Sequence, residues 1–184
     1  MVSLTTPVCN FGENAHDFTL KGTDGQMHSM RDLAGEKGLL VIFGCNHCPY
    51  IKAIRERLIR DANELKALGV NTVMINSNDA QAYPADSFEA MVDIAEEYGY
   101  PFSYLYDETQ EVAKTYGAVC TPDFFGYNAD LELQYRGRLD ESRKETAPES
   151  VRRDLFEAMK QVAETGRGPE EQIPSMGCSI KWKE

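Results

Sequence analysis

The stretch GLLVIFGCNHCPYIKAI, residues 38–54, joins an apolar run to a helical pattern through two cysteines. Gly38 to Gly44 carries no polar side chain and has β-branched Val41 and Ile42 at its centre, as expected of a strand buried on both faces. From Tyr50 the periodicity changes. Ile51, Ile54, Leu58, Ala62, Leu65 and Leu68 recur at helical spacing, with Lys52, Arg55, Arg57, Arg60 and Lys66 on the other faces, and Gly69 closes the helix. Cys45 and Cys48 thus lie between a strand and the first turn of a helix. Unpaired amides and the positive end of the helix stabilise a thiolate there and lower its pKa. Cysteines at i and i+3 can approach closely enough to bridge. Pro49 suits the first helical turn, where its missing amide leaves no acceptor unpaired. His47, between the thiols, can carry positive charge and favour a Cys45 thiolate; an exposed loop histidine without a role has the same local sequence.

Outward from this centre, Phe18 to Met30 holds two strand-like arms around Thr23-Asp24-Gly25, and Asp-Gly is a strong hairpin signal. Val70 to Ile75 reads as a strand. Phe88, Met91, Val92, Ala95 and Tyr98 mark a helix stopped by Gly99 and Pro101. A strand near 102–105 and a short helix over about 109–116 follow. Asp123 to Tyr127 and Leu133 to Arg138 read as strands joined through Asn128 to Asp130. Val151, Leu155, Met159 and Val162 give a last helix, with Pro148 at its start and Gly166 past its end. The tail, residues 167–184, reads as irregular. Strand–helix–strand units imply parallel pairing and right-handed crossovers, and the later hairpin adds antiparallel strands. The expected fold is one α/β domain over residues 1–184, a mixed sheet with helices on both faces.

Composition narrows the function. The 184 residues, 42% hydrophobic and 27% charged, suit one globular domain. A net charge of -11 argues against nucleic acid or an anionic membrane as partner. The N-terminal segment has neither a basic region nor an apolar core of signal-peptide type, and five cysteines do not make a secreted disulfide framework, so a cytoplasmic location is expected. A structural zinc site shows two ligand pairs and only one is evident, so no metal and no cofactor are expected; Cys120, Cys178, His16 and His28 would add ligands only if the fold gathered them.

CNHC after a buried strand, followed much later by Thr121-Pro122, resembles the thioredoxin superfamily. Asp17 to Leu20 with Asp24-Gly25 is similar to its redoxin (AhpC/TSA-like) branch. CNHCPYIKAI, TPDFFGYNADLELQYRGRLDE and PSMGCSIKWK resemble bacterial peroxiredoxin-like thioredoxin-family proteins along nearly the whole chain. The resemblance implies a thioredoxin-like fold, with the N-terminal hairpin and the C-terminal tail as additions. It implies a thiol-disulfide oxidoreductase in which Cys45 is the exposed attacking thiolate and Cys48 the resolving thiol. Pro122 would be the cis-proline, and Thr121 and Pro122 would shape the substrate groove. The substrate would be a protein or small-molecule disulfide or thiol, with a reducing thioredoxin-type protein as a further partner.

There are departures. Thioredoxin's buried acid falls at Leu39 here, the glutamate of related reductases at Ile51, and thioredoxin's tryptophan at Gly44. No local carboxylate is therefore expected to accept the Cys48 proton. A thiol peroxidase is the alternative; with Cys48 in the peroxidatic place, its proline and threonine would fall at Val41 and Cys45, so both groups are absent, and Arg136 or Arg138 would serve as guanidinium. A non-catalytic redox sensor is a third reading. Cys120, just before Thr121-Pro122, is either a second resolving thiol or a buried small residue. Cys178 in the tail is placed to reach Cys120 or the dithiol if the tail folds back; Cys9 is taken as incidental.

Overall fold

The computed structural model describes residues 2–184. Its strands are β1 (Ser3–Thr5), β2 (Thr19–Gly22), β3 (Met27–Ser29), β4 (Gly38–Phe43), β5 (Val70–Asn76), β6 (Ser103–Tyr106), β7 (Cys120–Thr121), β8 (Asp123–Asn128), β9 (Leu133–Tyr135) and β10 (Met176–Ser179). The helices are α1 (Met30–Leu33), α2 (Pro49–Ala67), α3 (Phe88–Tyr98), α4 (Glu111–Tyr116) and α5 (Asp154–Thr165). Seven strands form one sheet in the order β3-β2-β6-β5-β4-β8-β9. β4 and β6 run parallel to β5, whereas β8 runs antiparallel to β4. This is a mixed, thioredoxin-like α/β architecture.

β4 is buried throughout, and its alternation divides the core. Leu40 and Ile42 pack with Ile54, Leu58, Leu65, Met91, Leu155 and Met159 from α2, α3 and α5. Leu39, Val41 and Phe43 point the other way, toward Met30, Ala113 and Tyr116 of α1 and α4. Each such side chain contributes roughly 1.5–3 kcal/mol by leaving water. The β2–β3 hairpin forms as expected, with Gly25 at φ +79° in its turn.

Three features differ from the sequence reading or add to it. α5 begins at Asp154 rather than near Pro148. Before it, Val151 closes a turn onto the Pro148 carbonyl, and Leu155 donates its amide to Leu139, outside the helix. The tail is not irregular throughout: β10 pairs antiparallel with both β1 and β7 in a second, three-stranded sheet. Beyond β10, the Lys181 amide donates to Asn78 Oδ1, and its carbonyl accepts from the Asp79 amide and Gln110 Nε2. Finally, Arg55 and Arg57, on the helix faces away from the apolar positions, are buried. Arg57 Nε donates to Asp140 at 2.7 Å, while Arg55 donates to the Tyr100 hydroxyl and the Asn46 carbonyl.

Candidate active site

β4 runs out at Phe43 and delivers Gly44 and Cys45 to the edge of the sheet. Gly44 is required by space: a Cβ there would lie 2.6 Å from Met74 Sδ. Its amide bonds the Ile75 carbonyl. Cys48 is the N-cap of α2 and Pro49 its first residue. Because Phe43 pairs with Asp123 across β4 and β8, two further residues in each direction bring Cys45 to Thr121. The Thr121-Pro122 peptide is cis. Cys45 Sγ lies 3.4 Å from Thr121 Oγ1, and Cys48 Sγ lies 3.1 Å from the Thr121 carbonyl oxygen.

β10 brings in a third thiol. Cys178 pairs with Thr121 in the β10–β7 register. Its Sγ stands 2.8 Å from Cys48 Sγ. Cys45, Cys48 and Cys178 share one buried cluster with Tyr50 and Ile51. Cys120 does not join it. One residue along β7, it faces away, 3.5 Å from the Pro122 carbonyl, and burial pushes its thiol far up. Cys9 is half-buried and remote, its thiol raised to about 11 chiefly by burial.

The loop between the cysteines is held from a segment that the sequence reading passed over, Asn76 to Asp86. Asp86 is fully buried at the end of a short 3₁₀ turn, Pro84–Asp86. Its carboxylate accepts from the Asn46 amide at 2.8 Å and from Asn78 Nδ2 at 2.7 Å. His47 Nδ1 contacts the same carboxylate at 2.6 Å, at an angle poor for a hydrogen bond, and the imidazole stacks on Tyr83. Asn46 also donates to the Ala85 carbonyl and accepts from the Tyr104 hydroxyl, so every polar group of this residue is engaged. The carboxylate missing beside the dithiol in the sequence is therefore present in the fold, on the Cys45–His47 side. Only a polar segment following a strand could have hinted at it.

The electrostatics reverse one expectation. Cys48, not Cys45, holds the charge of the reduced pair. The Cys45 thiol donates to it and lowers it to about 5 against the cost of burial, with support from Cys178, Thr121 and the Ile51 amide. Cys45 sits well above the ordinary thiol value, because it gives its proton toward Cys48, is buried, and faces Asp86. Nor is Cys45 exposed: it is 1% accessible and Cys48 is fully covered. The helix start acts on the cysteine that caps it, and a neighbouring carboxylate opposes a second anion.

Cys45 Sγ, a ring nitrogen of His47 and an Asp86 oxygen lie within 4.8 Å of one another, and these are the residues that could hold a metal. Donors on one tetrahedral zinc stand about 3.3 Å apart, given bonds of about 2.0–2.1 Å. The 2.6 Å His47–Asp86 contact is closer than that, so an ion would have to part the two. The arginines considered for a peroxidase are both committed. Arg136 bonds Asp123 and the Gly117 carbonyl beneath Phe125, and Arg138 bonds Asp154. Beside the cis-proline a groove opens between Tyr50, Pro122, Arg138, Arg143 and Met176. No helix among the described residues is long and apolar enough to cross a membrane.

No curated protein is significantly similar to the chain. An uncharacterized conserved protein from Geobacillus kaustophilus is 45% identical, with a TM-score of 0.93 over 100% of this chain and 97% of that one. A hypothetical protein from Sinorhizobium meliloti 1021 is 38% identical, with a TM-score of 0.91 over 97% of each chain. At the level of fold alone, the thioredoxin domain of a thiol-disulfide oxidoreductase from Bacteroides vulgatus has a TM-score of 0.58 at 18% identity, over 72% of this chain and 89% of that domain. Residues 11–141 match the AhpC/TSA family, so this chain, with its thioredoxin-like sheet and paired thiols, belongs to that family.

Proposed function

We propose that the protein is a thiol-disulfide oxidoreductase that works through Cys45 and Cys48. The observation that carries this reading is the convergence of both sulfurs on the Thr121 unit beside Pro122, at the start of α2. Cys45 attacks a substrate disulfide, and the proton it loses passes to the Cys48 thiolate. The first substrate thiolate leaves and takes a proton from His47 or from water. Cys48 then attacks Cys45 Sγ and breaks the mixed disulfide, and the proton it gives up passes to the departing second substrate thiolate. Cys48 is thus both base and resolving thiol, which removes the need for a carboxylate at Leu39 or Ile51. His47, in contact with Asp86, lies beside Cys45, and Thr121 with Pro122 flanks the substrate. A reducing compartment and a thioredoxin-type reductant fit this cycle.

One observation favours the peroxidase alternative, namely the Thr121 hydroxyl 3.4 Å from Cys45 Sγ. Against it, Arg136 and Arg138 are both spent on carboxylates. Insulin reduction and peroxide consumption, measured for the wild type, Cys45→Ser and Cys48→Ser, test the proposal. Loss of insulin reduction in both variants is expected. Full exchange activity in Cys45→Ser would refute it, and peroxide turnover that outpaces disulfide reduction would favour the alternative.

A further inference from the structure

We infer that Cys178 is a third redox thiol, which takes over the disulfide from the Cys45–Cys48 pair and forms a Cys48–Cys178 bond. This deepens the dithiol reading and rests on it.

Cys48 is flanked by two thiols, Cys45 on its own loop and Cys178 at 2.8 Å from strand β10. β10 is the central strand of the small sheet, held by β1 on one side and β7 on the other. Its register places Cys178 opposite both Ser3 and Thr121. Gly177 permits this close approach: a Cβ there would strike the Thr121 carbonyl. Ser175 just before the strand donates to the Pro122 carbonyl at 2.9 Å, and Tyr50 at the start of α2 donates to Ser3 of β1 at 3.0 Å. The third sulfur is therefore fixed by the same Thr121-Pro122 unit that flanks Cys45, and not by a loose tail.

The chemistry is a second thiol-disulfide exchange. Once a substrate disulfide has oxidised Cys45 and Cys48, the Cys178 thiolate attacks Cys48 Sγ. The Cys48–Cys178 bond forms, the Cys45–Cys48 bond breaks, and Cys45 departs with the electron pair. Cys45 then takes up the proton that Cys178 gave up. No further oxidant is consumed, since both oxidising equivalents come from the substrate. In the reduced protein Cys178 is raised to about 12, chiefly by burial, and its proton is also held by the Cys48 thiolate; Lys181 and Lys144 pull the other way. Oxidation of Cys48 removes that thiolate. The outcome is a protein that stores the disulfide beneath β10 and returns Cys45 as a free thiol.

The test oxidises the full-length protein with one equivalent of diamide, traps free thiols with iodoacetamide at neutral pH, and maps peptides by mass spectrometry. Wild type is expected to give Cys48–Cys178 alongside Cys45–Cys48, with Cys45 alkylated in the fraction carrying the former. Cys45→Ser should still form Cys48–Cys178. In Cys178→Ser, Cys45 alkylation in the oxidised protein should fall to background. The relay is overturned if wild type and Cys45→Ser both lack Cys48–Cys178 while wild type forms Cys45–Cys48, a result that leaves the dithiol reading standing. Conversely, Cys48–Cys178 in both proteins without any Cys45–Cys48 in wild type or Cys178→Ser removes the transfer step and the dithiol reading together. If Cys45→Ser does not fold, wild type that forms Cys45–Cys48 without Cys48–Cys178 overturns the relay by itself.

Discussion

The reduction potential of the dithiol should change its pH dependence near pH 5, where Cys48 acquires its charge. Reducing the disulfide takes up two protons when both product thiols are neutral, and only one when Cys48 remains a thiolate. For a two-electron couple each proton contributes about 30 mV per pH unit, so the slope should be about 59 mV below pH 5 and about 30 mV above it. Above pH 5 the charge on Cys48 favours the reduced form over a pair of ordinary thiols and makes the disulfide more oxidising. The sign follows for stability as well. A thiol lowered from 9.0 to about 5 on folding stabilises the reduced protein fully above pH 9, and this contribution is lost as the pH falls through 5. Equilibration with dithiothreitol redox buffers from pH 4 to 8, read by thiol alkylation, gives the slope directly. A constant slope of about 59 mV across that range would refute the assignment of charge to Cys48, and with it the role of Cys48 as base.

Two substitutions probe the frame around the thiols. Asp86→Asn removes the anion that faces Cys45, so the pH midpoint of Cys45 alkylation, measured in a Cys48→Ser background, should fall; an unchanged midpoint would show that Asp86 only positions Asn46 and His47. Gly177→Ala drives a methyl into the Thr121 carbonyl, which should cost about 1–3 kcal/mol in urea denaturation. The same variant should form less Cys48–Cys178 after oxidation, and wild-type stability in it would mean that β10 is not tightly seated on β7.

The parts whose physics is local are legible along the chain. The apolar run at β4, the helical spacing from Ile51 to Leu65 and the Asp24-Gly25 turn each report their own conformation through periodicity or backbone preference. Cys45, Cys48 and Pro49 could be placed at a helix start for the same reason. The start of α5 was misplaced because Val151 and Leu155 are buried at helical spacing although Leu155 gives its amide to Leu139. Spacing puts Arg55 and Arg57 on the faces away from the apolar positions but cannot show their burial, because their partners Tyr100 and Asp140 lie 45 and 83 residues away.

How the thiols are charged, and which of them meet, follows from contacts far apart along the chain. Strand register carries Thr121 to Cys45 across 76 residues, and the β10 pairing carries Cys178 to Cys48 across 130. Asp86 reaches Asn46 across 40 residues through the segment that follows β5. A pKa answers to every charge and donor within a few ångströms, whatever its distance along the chain. The helix start was legible and so was Cys178 as a thiol within reach of Cys120 or the dithiol, but its choice of Cys48 and the carboxylate opposing Cys45 were not, since neither is fixed until the sheets close.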